Sequence, residues 1–220
     1  QARAILTGDA LMSLASEVVL ESRSPNRLEA LAHLAHAVTK LNEGQQLDLS
    51  FESRLDVSVE ECLEMVGAKT SALMACSAAI GAVFAGAPKD VVEGLESFGR
   101  HLGAVFQGVD DLLGIWGDPA ATGKPVCNDL REKKKSLPVA YGLSSPSGRL
   151  RQILTLGALA GEDVKRASEL LERIGARHWV GNLVDRELDL ALAALEPLPI
   201  PEDIRSQLQE VARFAATRKA

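Results

Sequence analysis

Asp110 and Asp111 stand side by side in FQGVDDLLGIWGD, residues 106–118, a run that is otherwise mainly apolar or glycine. Carboxylates are seldom buried unless a cation or a metal neutralises them. Gln107 lies three residues before the first and four before the second, so helical spacing sets its amide beside both. The pair falls toward the C-terminal end of a helical pattern, where peptide dipoles leave partial negative charge and disfavour further anions. A divalent cation reverses that balance. Mg²⁺ takes hard oxygen ligands, commonly one or two carboxylates with phosphate oxygens completing its shell. Taken alone, such a pair is more commonly a solvated helix end.

Beyond the pair the chain changes character. Residues 118–137, DPAATGKPVCNDLREKKKSL, carry Lys124 and the run Lys133, Lys134, Lys135. A loop of this length inside a compact domain is commonly functional. By itself KKK is an ordinary solvated charge run. The net charge of −6 and the lack of interleaved aromatics argue against a nucleic-acid partner. Acid pair, glycine-bearing loop and lysines together suit a phosphate or diphosphate. Carboxylates hold Mg²⁺, the metal holds phosphate oxygens, and ammonium groups neutralise what remains.

The elements that must position these residues are helical. Helical periodicity runs through nearly the whole chain, and no stretch alternates with the period of a strand, which predicts one all-α domain over 1–220. Helices are expected from about Ala2 to Leu20 and from Arg27 past Lys40, with Gly44 kinking or ending the second. Ser58 and Glu61 form a capping box that opens a long helix to about Ala85. GAP at 86–88 stops it, and the helix carrying the aspartates runs from about Pro88 to Ile115, ending at Gly117. Four shorter helical patterns follow the loop, the last from about Pro201 to Arg218. Aromatics are only 4% of the chain, so the helices must pack closely on Ala and Leu. Cys62, Cys76 and Cys127 match no zinc or redox spacing and are read as free thiols of a reducing cytoplasm. With no leader and no apolar run long enough to span a bilayer, a cytoplasmic protein without stable membrane insertion is expected.

DDLLGIWGD…GKP…NDLREKKKSLP resembles the second aspartate-rich region of trans-isoprenyl diphosphate synthases, the polyprenyl synthetases, and bacterial geranylgeranyl members in particular. Further family marks follow in order: GDAL at 8–11, GQQLD at 44–48, KT at 69–70 and FQ at 106–107. The resemblance implies an isoprenoid-synthase-type helical bundle of which residues 1–220 are the C-terminal two-thirds. It implies a Mg²⁺-dependent prenyltransferase that condenses isopentenyl diphosphate with an allylic diphosphate into a polyprenyl product, geranylgeranyl in length. Asp110 would be a direct metal ligand, and Asp111 would bind metal-held water or a neighbouring lysine. Lys69, Lys124 and Lys134 would contact the diphosphate, Lys134 being the lysine of the family's DLxxxK pattern. Thr70 and Gln107 would line the reaction centre, with Asp48 near the metal cluster. The first two helices would form the face of a homodimer.

The chain departs from the family in two places. Gly114 stands where a third aspartate often completes DDxxD, and Asp118, two turns beyond Asp110, is placed to stand in if the helix persists. No first aspartate-rich motif, arginine pair or basic isopentenyl site precedes GDAL. Since Gln1 starts inside a helical pattern without a cap, the expectation is that N-terminal helices are missing and that this piece alone is inactive. A second chain supplying them, or a non-catalytic regulatory subunit, are the alternatives. A class I terpene cyclase on the same scaffold would carry an NSE-type motif, which is absent. His33 and His36 lack a third metal ligand and are read as incidental, and Phe106 and Trp116 as core rings.

Overall fold

The computed structural model describes residues 2–122, 125–159 and 161–218, and these residues form helices and turns without a strand. α1 (Ala2–Glu21) and α2 (Arg27–Phe51) open the chain. α2 does not end or kink at Gly44 as expected. Ala30, Ala37, Gly44 and Phe51, spaced by seven, form its buried stripe. The backbone of Lys69 lies where a Cβ on Gly44 would stand, so the glycine is a point of close helix approach.

α3 (Val59–Val66) starts at the expected capping box: Glu61 N–H donates to the Ser58 hydroxyl, and Ser58 N–H donates to the Glu61 carboxylate. The chain then passes through a π-helical turn (Gly67–Ser71) into α4 (Ala72–Ala85) without leaving the helix axis. α4 stops at Gly86, whose φ of +67° suits glycine. Taken as one helix, Val59–Ala85 is long and apolar enough to cross a bilayer by length and composition, which the sequence reading had excluded. In the fold it packs against α2 and α5 and holds the Lys69 ion pair.

α5 (Lys89–Trp116) is the central element. Gly99 and Gly103 admit the backbone of Met74, Ala75 and Ser71, while Gly108 receives Val184. The long loop contains two single turns, α6 (Pro119–Thr122) and α7 (Asn128–Arg131). Among the described residues five helices then follow where four were expected: α8 (Leu137–Leu143), α9 (Arg149–Leu154), α10 (Glu162–Arg173), α11 (Ala176–Leu195) and α12 (Glu202–Thr217). The main core gathers Phe51, Phe98, Val105, Val180 and Leu195 around α5. A second core, with Ile115, Leu130, Val139, Leu150 and Leu171, pins the loop and α8 to the end of α5. Burying each such side chain contributes about 1.5–3 kcal/mol. That second core fixes the approach of the loop to the aspartates.

Candidate active site

Asp111 is the hub of the site. It is 1% exposed, yet both carboxylate oxygens are engaged. Oδ1 accepts from Gln107 Nε2 at 2.9 Å and from Lys134 Nζ at 3.2 Å, and Oδ2 accepts from the backbone N–H of Leu137 at 2.9 Å. Gln107 in turn accepts from the Thr70 hydroxyl at 2.9 Å. One polar chain therefore links the π turn, α5, the loop lysine and the start of α8. Such turns insert one residue into a helix and are frequent at functional sites. Here the turn swings Thr70 toward α5 while the Lys69 backbone stays against α2. Burial pushes the Asp111 carboxyl up, while Lys134, Leu137 N–H and Gln107 pull it back.

Asp110, one residue earlier, has a different fate. Its side chain is 40% exposed and its Oδ2 lies 4.0 Å from Lys134 Nζ. A third carboxylate, Asp129 of α7, approaches the same ammonium at 3.5 Å. Burial lowers the proton affinity of Lys134, but Asp111, Asp129 and Asp110 together outweigh it and hold the ammonium above the ordinary lysine range. Asp129 is 5% exposed, and burial, reinforced by the charges of Asp111 and Asp110, lifts its carboxyl to about 6 against the pull of Lys134.

Five of the expected residues thus converge: Thr70, Gln107, Asp110, Asp111 and Lys134. Lys69 lies beside Thr70 and pairs with Asp48 at 2.5 Å, so Asp48 meets a lysine. Lys124 lies outside the described residues. The KKK run is not a solvated stretch. Lys133 donates to the Leu156 carbonyl, and Lys135, 3% exposed, donates to the carbonyls of Glu52 and Lys133. Asp118 does not stand in for a third motif aspartate. The helix ends at Trp116, and Asp118 accepts from Ala120 N–H at the start of α6. Phe106 lies under the Arg218 guanidinium and Trp116 under that of Arg177. His33 bridges to Glu96 at 3.1 Å, at a cavity of about 570 Å³ between α2, α4 and α5 that includes none of the five converging residues.

As a donor set for a hard cation the site offers one open carboxylate, Asp110. Asp111 meets Lys134, the neighbouring lysine among its expected partners, and each of its oxygens accepts at least one N–H donor. Among the described residues no three His, Cys, Asp or Glu side chains assemble into a metal shell. A cation bound through Asp110 would therefore complete its shell with oxygens from outside the protein, the habit of Mg²⁺ beside phosphate. Asp129 escaped the sequence reading as a site residue. The signal was there in DLxxxK, whose first residue served only to number the lysine.

The family model described as Polyprenyl synthetase matches residues 1–171. A curated relative from Mycobacterium tuberculosis, (2E,6E)-farnesyl diphosphate synthase, is 42% identical over 100% of this chain and 63% of its own length. The chain thus spans less than two thirds of that relative. The solved polyprenyl synthetase of Streptomyces coelicolor A3(2) superposes with a TM-score of 0.93 at 44% identity, covering 99% of this chain and 67% of that one. Geranylgeranyl pyrophosphate synthase from Corynebacterium glutamicum, solved with isoprenyl diphosphate and magnesium, superposes with a TM-score of 0.87 at 30% identity over 97% of this chain and 62% of that one. Motif order, all-helical architecture and the match along most of the sequence converge: the chain belongs to the polyprenyl synthetase family.

Proposed function

We propose that the protein is a Mg²⁺-dependent prenyltransferase, which joins isopentenyl diphosphate to an allylic diphosphate and releases a longer polyprenyl diphosphate. The observation that carries this reading is the contrast at the end of α5. One aspartate is locked inward by Gln107, Lys134 and Leu137, and its neighbour is left open beside the same ammonium. Geranylgeranyl is the product length expected from the sequence, farnesyl the one in the name of the Mycobacterium relative. Product chromatography distinguishes them.

Asp110 would hold Mg²⁺, which when bound neutralises charge on a departing diphosphate. Lys134, held as an ammonium by three carboxylates, supplies a fixed positive charge next to that position. Lys69, tied to Asp48, offers a second cation from the opposite helix. Placing charge before the bond breaks lowers the barrier without reorganisation during the reaction. Thr70 and Gln107, joined by their own hydrogen bond, would line the reaction centre, where an electron-poor allylic carbon develops. Two copies pair through α1 and α2: Leu6, Leu11, Leu14 and Val18 leave an apolar face on α1 uncovered.

The test is conversion of labelled isopentenyl diphosphate with an allylic diphosphate and MgCl₂, using the protein at the length of its relatives. Product is expected, and Asp110→Ala should lower its rate by at least about a thousandfold, the scale of losing a group that places transition-state charge. An Asp110→Ala rate equal to wild type overturns the reading.

A further inference from the structure

The lysines on either side of Lys134 leave the loop for the C-terminal ends of two other helices. Lys133 Nζ donates to the Leu156 carbonyl just beyond α9. Lys135 Nζ donates to the Glu52 carbonyl at the end of α2, at 3.3 Å, and to the Lys133 carbonyl at 2.9 Å. Lys135 is the unusual one, a buried cation held by carbonyl oxygens alone among the described residues. A buried charge needs compensation. The aligned peptide dipoles of the 25-residue α2 leave partial negative charge at its C-terminus and supply it. Lys133 has a φ of +53°, a conformation that residues other than glycine seldom adopt and keep only where their surroundings hold them. The Lys135 ammonium grips the carbonyl of that very residue. The Lys135 carbonyl in turn accepts from the buried Cys62 thiol of α3 at 3.4 Å.

Resting on the function proposed above, we infer that Lys135 is a positioning residue. Its buried ammonium staples the left-handed turn at Lys133 to the C-terminus of α2, and so fixes the backbone from which Lys134 reaches the diphosphate. This clamp does not depend on the carboxylates around Lys134. The Lys134 ammonium can therefore turn from Asp111 and Asp129 to a phosphate oxygen while its backbone stays in place. α2 also carries Asp48, the partner of Lys69, so the clamp holds the two cation-bearing segments in one frame. A neutral, apolar side chain at 135 would leave two carbonyls without their donor and the turn without its support.

The experiment is a double-mutant cycle between positions 134 and 135, read by calorimetric titration of inorganic pyrophosphate in the presence of MgCl₂. Lys135→Met should weaken binding by about tenfold, the scale of removing a group that orients a ligating residue. In a Lys134→Ala background the same substitution should change nothing further, because the clamp acts only through the lysine it aims; a general structural role would lower affinity in both backgrounds. Hydrogen exchange needs no ligand. The Leu137 amide, which donates to Asp111 two residues beyond the clamp, should exchange about tenfold faster in Lys135→Met as the turn opens locally. Lys135→Gln, whose amide keeps a donor but no charge, replaces a Met variant that does not fold and should also bind more weakly. Wild-type affinity in a folded Lys135→Met or Lys135→Gln protein overturns the inference, as does an equal loss in the Lys134→Ala background. A wild-type protein that binds no pyrophosphate contradicts the proposed function instead, and exchange at Leu137 then decides whether Lys135 clamps the turn.

Discussion

Two adjacent aspartates do opposite work because a helix turns by about 100° per residue. Asp111 points into the packing of α8 and meets three N–H donors; Asp110 points out. Asp111→Ala takes from Lys134 its nearest carboxylate, leaves the Leu137 N–H unmatched and should cost about 3–5 kcal/mol in urea unfolding, the scale of breaking a buried pair. Asp110→Ala removes an exposed group and should stay within about 0.5 kcal/mol of wild type. Equal losses would contradict the division of roles. Asp129 adds a pH signature. Its carboxyl is raised to about 6 in the fold from an ordinary 3.8, so its contribution to stability is complete below about 4 and is lost as pH rises through 6. As pH falls from 8 to 4, wild type should gain about 3 kcal/mol on Asp129→Asn; a constant difference would show that Asp129 does not titrate so high. The sequence displayed Asp110, Asp111, Gln107 and Lys134 by type and spacing. It could not display which aspartate faces inward, since that depends on where α8 returns. Asp129 was visible only as the first residue of DLxxxK, and its place against Lys134 is set by the fold of the loop.

At the level of elements, local signals read true where the cause is local. The Ser58–Glu61 box and the Gly86 stop lie where the residues put them. Ser58→Ala should cost about 1 kcal/mol, measurable by chemical unfolding. The misses have tertiary causes. Gly44 looked like a helix end, yet α2 continues to Phe51 because that glycine receives the backbone of Lys69. Gly44→Ala should push α2 from the π turn, destabilise by about 1–3 kcal/mol and break the Lys69–Asp48 pair; no change in unfolding would contradict the close approach. GAKTS itself reads as ordinary helix, since a π turn has no distinctive composition, and only the structure shows how Lys69 and Thr70 come to serve different neighbours.

For the whole molecule, α5 is the spine on which both cores and the site meet, and the second core delivers Lys134 and Asp129 to the carboxylates at its end. The all-helical class was legible because periodicity is a property of the entire chain. The site's charge balance was not, being set by how residues 110–134 fold back on one another. Three carboxylates around one ammonium leave the cluster net negative, which favours a divalent cation over a bare diphosphate. Calorimetric titration of inorganic pyrophosphate into wild-type and Asp110→Ala protein, with and without MgCl₂, tests this most directly. Binding that requires magnesium and disappears in folded Asp110→Ala is the expected result. Equally tight binding without magnesium, or in Asp110→Ala, would contradict a metal-bridged diphosphate at Asp110 and Lys134.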